Sequence, residues 1–217
     1  MSEIGRLHVI TDVVFQTRYS HGQLARLALE GGADTIQWRE KRPLTTRELI
    51  ADAMAVTQAC DEAGVLAIID DRVDVLAAVG AKGLHLGAHD LPVDVARDLL
   101  GDEVVIGGTA NSLEEARTVW KTQIDYIGVG PIYGTASKAN PAPVMGLATL
   151  AAIVAESPVP VIAIGNITVE SVEAVLATGA HGVAVLSGVS CAADPAAAAA
   201  AYATAIAGYL VVRGTRR

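Results

Sequence analysis

The run Gln37-Trp38-Arg39-Glu40-Lys41 is the first place where residue types and spacing suggest chemistry. In an extended segment, alternation sends Gln37, Arg39 and Lys41 to one side, so that an amide and two cations share one face. Two further runs supply carboxylates: Asp70-Asp71-Arg72-Val73-Asp74 and His85-Leu86-Gly87-Ala88-His89-Asp90. Hard oxygen ligands of this kind suit Mg²⁺, which keeps several waters and completes its shell with substrate phosphate. Each aspartate taken singly also fits an ordinary helix N-cap. His85 and His89 invite a zinc reading, but no third nitrogen or sulfur ligand stands at suitable spacing, so structural histidines are expected.

Other segments have the chemistry of anion binding. Ile132 to Pro141 is a long polar connection containing Thr135, Ser137 and Lys138. It reads either as a flap closing over an anion or as a plain surface loop. Ile164-Gly165-Asn166-Ile167 and Leu186-Ser187-Gly188-Val189 offer backbone N–H groups near a short helix start. Gly165 and Asn166 both tolerate positive φ, which turns successive amides toward one anion.

These pieces need a frame that brings them together. Eight short apolar runs recur along the chain: Leu7–Thr11, Asp34–Trp38, Leu66–Asp70, Gly83–Leu86, Val104–Gly108, Tyr126–Gly130, Val161–Gly165 and Gly182–Leu186. Several are apolar at consecutive positions, as strands buried on both faces are. The stretches between them read as helices, opened by Thr45-Thr46-Arg47-Glu48, Ser112-Leu113-Glu114-Glu115 and Thr168-Val169-Glu170-Ser171. Glycines at Gly31-Gly32, Gly80 and Gly179 are expected to supply left-handed turns at helix ends. Eight βα units in 217 residues predict an α/β fold of the closed, single-domain (β/α)8 TIM-barrel type. The structural alternative is an open doubly wound sheet, but the glycine-rich dinucleotide fingerprint after the first strand is absent. In a barrel the functional residues gather at the C-terminal ends of the strands, where every run above finishes.

Composition bounds the rest. With 16 Lys+Arg against 24 Asp+Glu the formal charge is −8, which argues against a nucleic-acid surface. A chain that is 52% hydrophobic and 18% charged can bury a large core, so disorder is excluded. Cys60 and Cys191 are too few and too far apart for a disulfide scaffold or a thiolate zinc site. With no secretory signal pattern at the start, a cytoplasmic protein is expected. Ala196 to Val212 carries no charge and is followed by Arg213, Arg216 and Arg217. Its alanine content gives little transfer free energy, so a closing helix over about 195–212 of the single domain 1–217 is expected rather than a membrane anchor.

Together Gln37–Lys41, Asp70–Asp74, His85-Leu86-Gly87, Gly128-Val129-Gly130-Pro131-Ile132-Tyr133 and Ile164–Ile167 resemble the thiamine-phosphate synthase family, over about residues 7 to 190. The resemblance implies transfer of a hydroxymethylpyrimidine group from its diphosphate to a thiazole phosphate, giving thiamine phosphate and pyrophosphate. It implies that Arg39, Lys41 and Lys138 hold the pyrophosphate as catalytic cations and that Asp71 and Asp90 carry Mg²⁺. Gln37 and Asp70 would address the pyrimidine, and Thr109 would place a hydroxyl near the pyrophosphate. Thr135 and Ser137 would belong to the flap, and Gly165, Asn166, Ser187 and Gly188 would cradle the thiazole phosphate. The implied chemistry is dissociative: pyrophosphate leaves, the aminopyrimidine supports a transient cation, and the thiazole nitrogen captures it. The expected partners are these two substrates, with a homodimer as the assembly kept open.

The chain departs from the family pattern at several points. Asp70 stands where Asn is usual, Ala88 where Gln is common, and Thr109-Ala110-Asn111 replaces Ser-x-His. Gly134 replaces a usual Pro, and Asn166 the second Gly of a pair. Two other functions remain open: thiazole tautomerase on the same barrel, which relies on a histidine where this chain has Asn111, and a non-catalytic barrel binding thiazole or thiamine phosphate.

Overall fold

Strands rich in Val, Ile and Leu with helical crossovers can hide both faces of a parallel sheet only under a complete helical layer, and closing the sheet removes its edges. The computed structural model, which describes residues 4–135 and 142–214, has this form. β1 (Leu7–Thr11), β2 (Thr35–Trp38), β3 (Leu66–Asp70), β4 (Gly83–Leu86), β5 (Val105–Ala110), β6 (Tyr126–Val129), β7 (Val161–Ile164) and β8 (Gly182–Val185) close in chain order into one barrel. All neighbouring pairs are parallel, including β1 with β8. The helices are α1 (His21–Glu30), α2 (Thr46–Ala63), α3 (Val73–Val79), α4 (Val93–Leu100), α5 (Leu113–Val119), α6 (Gly146–Glu156), α7 (Val172–Ala177), α8 (Ser187–Ser190) and α9 (Pro195–Gly214).

Strand alternation divides the apolar residues into two layers. Ile10, Leu66, Ile68, Val105, Tyr126, Ile162 and Ala184 fill the barrel interior. The residues between them, among them Val9, Ile36, Ile69, Leu84, Ile106 and Ile127, face out and pack beneath the helices. Parity therefore decides which polar residue at a strand end looks into the mouth.

Local chemistry explains most helix ends. Ser20 and Thr45 form reciprocal capping boxes with Gln23 and Glu48, and the Ser112 hydroxyl accepts from the Glu115 N–H. Thr168 also caps, but it opens a 3-10 turn over Val169–Ser171, and α7 begins only at Val172. The expected left-handed glycines occur at Gly80 (φ 71°) and Gly179 (φ 94°). At the end of α1 the left-handed step falls on Gly32 (φ 91°), because Gly31 still donates to Leu27 O and keeps helical angles. A Cβ on Gly31 would lie 2.3 Å from Ala196 O, so α1 and α9 approach closely there. α9 buries Ala199, Tyr202 and Ile206. Its window Pro195–Val212 is long and apolar enough to cross a bilayer by length and composition, with 22% of it buried.

Candidate active site at the barrel mouth

The end of β2 delivers the alternation expected from the sequence. Gln37 Nε2 donates to Asp70 Oδ1 at 2.8 Å. Lys41 Nζ lies 3.1 Å from Asp70 Oδ2 and also pairs with Asp71. Arg39 Nε stands 3.8 Å from Asp70 Oδ2, and the same guanidinium pairs with Asp12, just past β1. The side chains at 37, 39 and 41 thus converge on the end of β3, while Trp38 and Glu40 point outward into the helix layer and are buried there.

Crowding of charge sets the electrostatics. Burial pushes the Asp70 carboxyl up to about 6, Asp71 beside it pushes the same way, and Lys41 and Arg39 restrain the rise. Burial would lower Lys41, but Asp70 and Asp71 outweigh it and hold the ammonium above its usual range. The Asp90 carboxyl is raised by burial and by Asp71 and Asp70, against the pull of the Gly87 N–H, which donates to its Oδ2 at 2.7 Å. Asp71 sits at φ 62°, a left-handed position that aspartate tolerates better than most residues. Its backbone N–H bonds to His85 O, so the turn after β3 is tied to β4.

Behind the acids, His85 Nε2 lies 2.8 Å from Thr109 Oγ1 and His85 Nδ1 lies 2.9 Å from the Tyr126 hydroxyl. Burial raises the Tyr126 phenol far beyond its ordinary range, so it stays protonated and can donate to Nδ1, leaving the Nε2 hydrogen for Thr109. His85 is therefore built into the barrel wall, and His89 is exposed. Space is tight here: a Cβ on Gly128 would come within 3.1 Å of His85 Cε1, and one on Gly107 within 2.1 Å of the Tyr126 ring.

Across the mouth the material is backbone. Gly165 (φ 111°) and Asn166 (φ 49°) are consecutive left-handed residues after β7. A Cβ on Gly165 would lie 2.6 Å from Pro131 Cα and 2.8 Å from the Ile132 N, so only glycine lets the β6 and β7 loops meet. Ser187 and Gly188 open the short α8 directly after β8. A Cβ on Gly188 would meet the Tyr202 hydroxyl at 2.4 Å, and that hydroxyl donates to Ile167 O. Asn111 Nδ2 donates to Gly130 O, and the Asn111 N–H to Glu115.

The structure thus brings Gln37, Arg39, Lys41, Asp70 and Asp71 together, with Asp90 beside Asp71 and Thr109 reached through His85. Gly165, Asn166, Ser187 and Gly188 lie just past the ends of β7 and β8. Thr135 lies in the connection after β6, whereas Ser137 and Lys138 lie outside the described residues. Sequence reasoning passed over Asp12, although it comes after β1 just as Arg39 comes after β2; that shared strand-end position was the available signal. Among the described residues, the group of three ligating side chains with atoms within 4.8 Å of one another is His21, Glu40 and Asp52, which lies on the outward side. A cavity of about 620 Å³ at the opposite end of the barrel, lined by Arg6, Asp34, Lys82 and His181 among others, shares no residue with the mouth.

Fold and site define a (β/α)8 barrel whose mouth sets a dense group of cations and carboxylates across from a backbone cradle. Residues 7–189 match the thiamine monophosphate synthase family, and the chain belongs to it. It is 48% identical over 207 residues to thiamine-phosphate synthase of Salinibacter ruber, covering 95% of this chain and 91% of the relative. Identity to the Methanoculleus marisnigri thiamine-phosphate synthase is 44% over 193 residues, covering 89% of this chain and 91% of that protein. The solved thiamine phosphate pyrophosphorylase of Pyrococcus furiosus superposes with a TM-score of 0.86 at 37% identity, covering 94% of this chain and 96% of that one.

Proposed function

We propose that this chain is a transferase that joins hydroxymethylpyrimidine diphosphate to thiazole phosphate, giving thiamine phosphate and pyrophosphate. The carrying observation is the convergence of Gln37, Arg39, Lys41, Asp70 and Asp71 at one side of the mouth, opposite the left-handed pair Gly165 and Asn166. Arg39 and Lys41 receive the diphosphate, and Lys138, outside the described residues, is the third cation assigned to it. Gln37 and Asp70 meet the pyrimidine, while Thr109 offers a hydroxyl to the pyrophosphate, and Thr135 and Ser137 are assigned to the substrates as further hydroxyls. Gly165, Asn166, Ser187 and Gly188 direct backbone N–H groups toward the thiazole phosphate.

The donor set fits Mg²⁺: Asp90 and Asp71 are hard oxygen ligands, and Asp71 adds to the rise that burial gives the Asp90 carboxyl, a repulsion that a divalent cation relieves. Asp71 and Asp90 would hold the ion, and when bound it neutralises charge on the leaving pyrophosphate. The bond from the pyrimidine methylene to the diphosphate oxygen breaks, and a bond from that methylene to the thiazole nitrogen forms. No general base is needed, so the residues act by fixing charge, aligning the two rings and excluding water. Asn111, in place of the tautomerase histidine, has no titratable proton and is engaged with Gly130 O, which argues against thiazole isomerisation.

A cytoplasmic enzyme and a homodimer complete the reading, the dimer to be checked by light scattering. The test of function supplies both substrates with Mg²⁺ to the purified chain and omits each in turn. Thiamine phosphate and pyrophosphate must appear in equal amounts only when both are present. Thiazole isomerisation without the pyrimidine would identify a tautomerase, and binding without product a carrier.

A further inference from the structure

His21, Glu40 and Asp52 form a buried group behind the mouth. The His21 and Glu40 side chains have no solvent exposure. His21 Nδ1 lies 2.7 Å from Thr11 Oγ1 at the end of β1, and His21 Nε2 lies 3.3 Å from Glu40 Oε2, just past β2, and 3.7 Å from Asp52 Oδ2 on α2. Glu40 also accepts from the Arg42 N–H at 2.7 Å and pairs with the Arg42 guanidinium, which reaches Asp52 at 3.4 Å. That guanidinium supplies the cation the two carboxylates require, so the group needs no metal ion.

Its position in the chain gives it another role. Thr11 precedes Asp12, which pairs with Arg39, and Glu40 lies between Arg39 and Lys41. One imidazole thus ties together two strand ends whose next residues form the cationic side of the mouth. A buried carboxylate with three partners resists displacement, because moving it would strand charge away from water. We infer that Glu40 and His21 are positioning residues for the pyrimidine diphosphate, a clamp on the outer wall that fixes Arg39 and Lys41 in the mouth. The bonds named above for His21, Glu40 and Asp52 go to Thr11, Arg42 and one another, on the pyrimidine side of the mouth, so the thiazole phosphate should be the less affected substrate.

This inference rests on the proposed synthase reaction, and a split in kinetic constants tests it. Wild type, Glu40→Ala, Glu40→Gln and, as a control for lost packing, Val56→Ala in the buried face of α2 are compared with both substrates and Mg²⁺. Glu40→Ala should lower kcat and raise KM for the pyrimidine diphosphate, about tenfold between them, and leave KM for the thiazole phosphate within about twofold. Glu40→Gln, which keeps the shape and part of the hydrogen bonding, should fall between. Val56→Ala should lower the melting temperature without splitting the constants. If Glu40→Ala does not fold, Glu40→Gln decides alone. Wild-type constants in the Glu40 variants, or both KM values moving together, would overturn the clamp while leaving the reaction intact. Absence of product from wild type would instead overturn the reaction itself.

Discussion

The two sides of the mouth are built from different material. Past β2, β3 and β4 the groups we propose for the reaction are side chains: Gln37, Arg39, Lys41, Asp70 and Asp71 hold one another in place, and burial perturbs several of their charges. Past β7 and β8 the proposed groups are peptide N–H groups at the left-handed pair Gly165 and Asn166 and at the start of α8. A side chain that faces growing charge can respond to the transition state, whereas a fixed backbone cradle grips a phosphate that does not change during reaction. The charged side should therefore govern kcat, and the backbone side KM for the thiazole phosphate.

Metal removal should have the largest effect. Excess chelator, or Asp71→Ala, should take the rate to near background, measured as pyrophosphate release. Full turnover in chelator would break the account of the acidic side. Next in size, Arg39→Ala and Lys41→Ala should each lose a charge-assisted contact of about 1.5–3 kcal/mol, seen mainly in kcat. A change confined to KM for the pyrimidine diphosphate would erase the contrast between the two sides.

Acid should strike the floor beneath both. His8, packed edge-on against Tyr126, has its pKa lowered by burial to about 3. The folded state therefore binds fewer protons there than the unfolded chain. The resulting stability is present above pH 6.5 and is lost as pH falls from 6.5 toward 3. Its limiting slope is about 1.4 kcal/mol per pH unit. Chemical denaturation at several pH values should show this slope flattened in His8→Gln, with no preference for either substrate.

The smallest and most local effects belong to the cradle. Asn166→Val should raise KM for the thiazole phosphate by about tenfold, since a β-branched residue at φ 49° is strained by about 1–2 kcal/mol. Asn166→Gly should stay near wild type. Equal values for Asn, Gly and Val would show that this turn does not shape the site.

The same contrast explains what the sequence revealed. Every strand appears within two residues of its expected bounds, because consecutive Val, Ile and Leu between turn glycines leave a buried parallel strand few alternatives. Gln37, Arg39 and Lys41 are legible from alternation alone, and positive φ at Gly165 and Asn166 from residue type. Other features depend on contacts distant in sequence. Asp12 meets Arg39 across 27 positions, and Tyr126 meets His85 across 41; no local pattern announces either. Left-handed Asp71 was hidden because the bond from its N–H to His85 O, which ties that turn to β4, exists only once the barrel closes. The outward group of His21, Glu40 and Asp52 has no local signature for the same reason, since its members come from α1, the end of β2 and α2.

The division of labour across the mouth is tested most directly by one crossed set of steady-state measurements on Arg39→Ala and Asn166→Val, varying each substrate against saturating partner and Mg²⁺. Arg39→Ala should lower kcat and leave KM for the thiazole phosphate unchanged, while Asn166→Val should raise that KM and leave kcat within about twofold. The same pattern of constants from both variants would contradict the account.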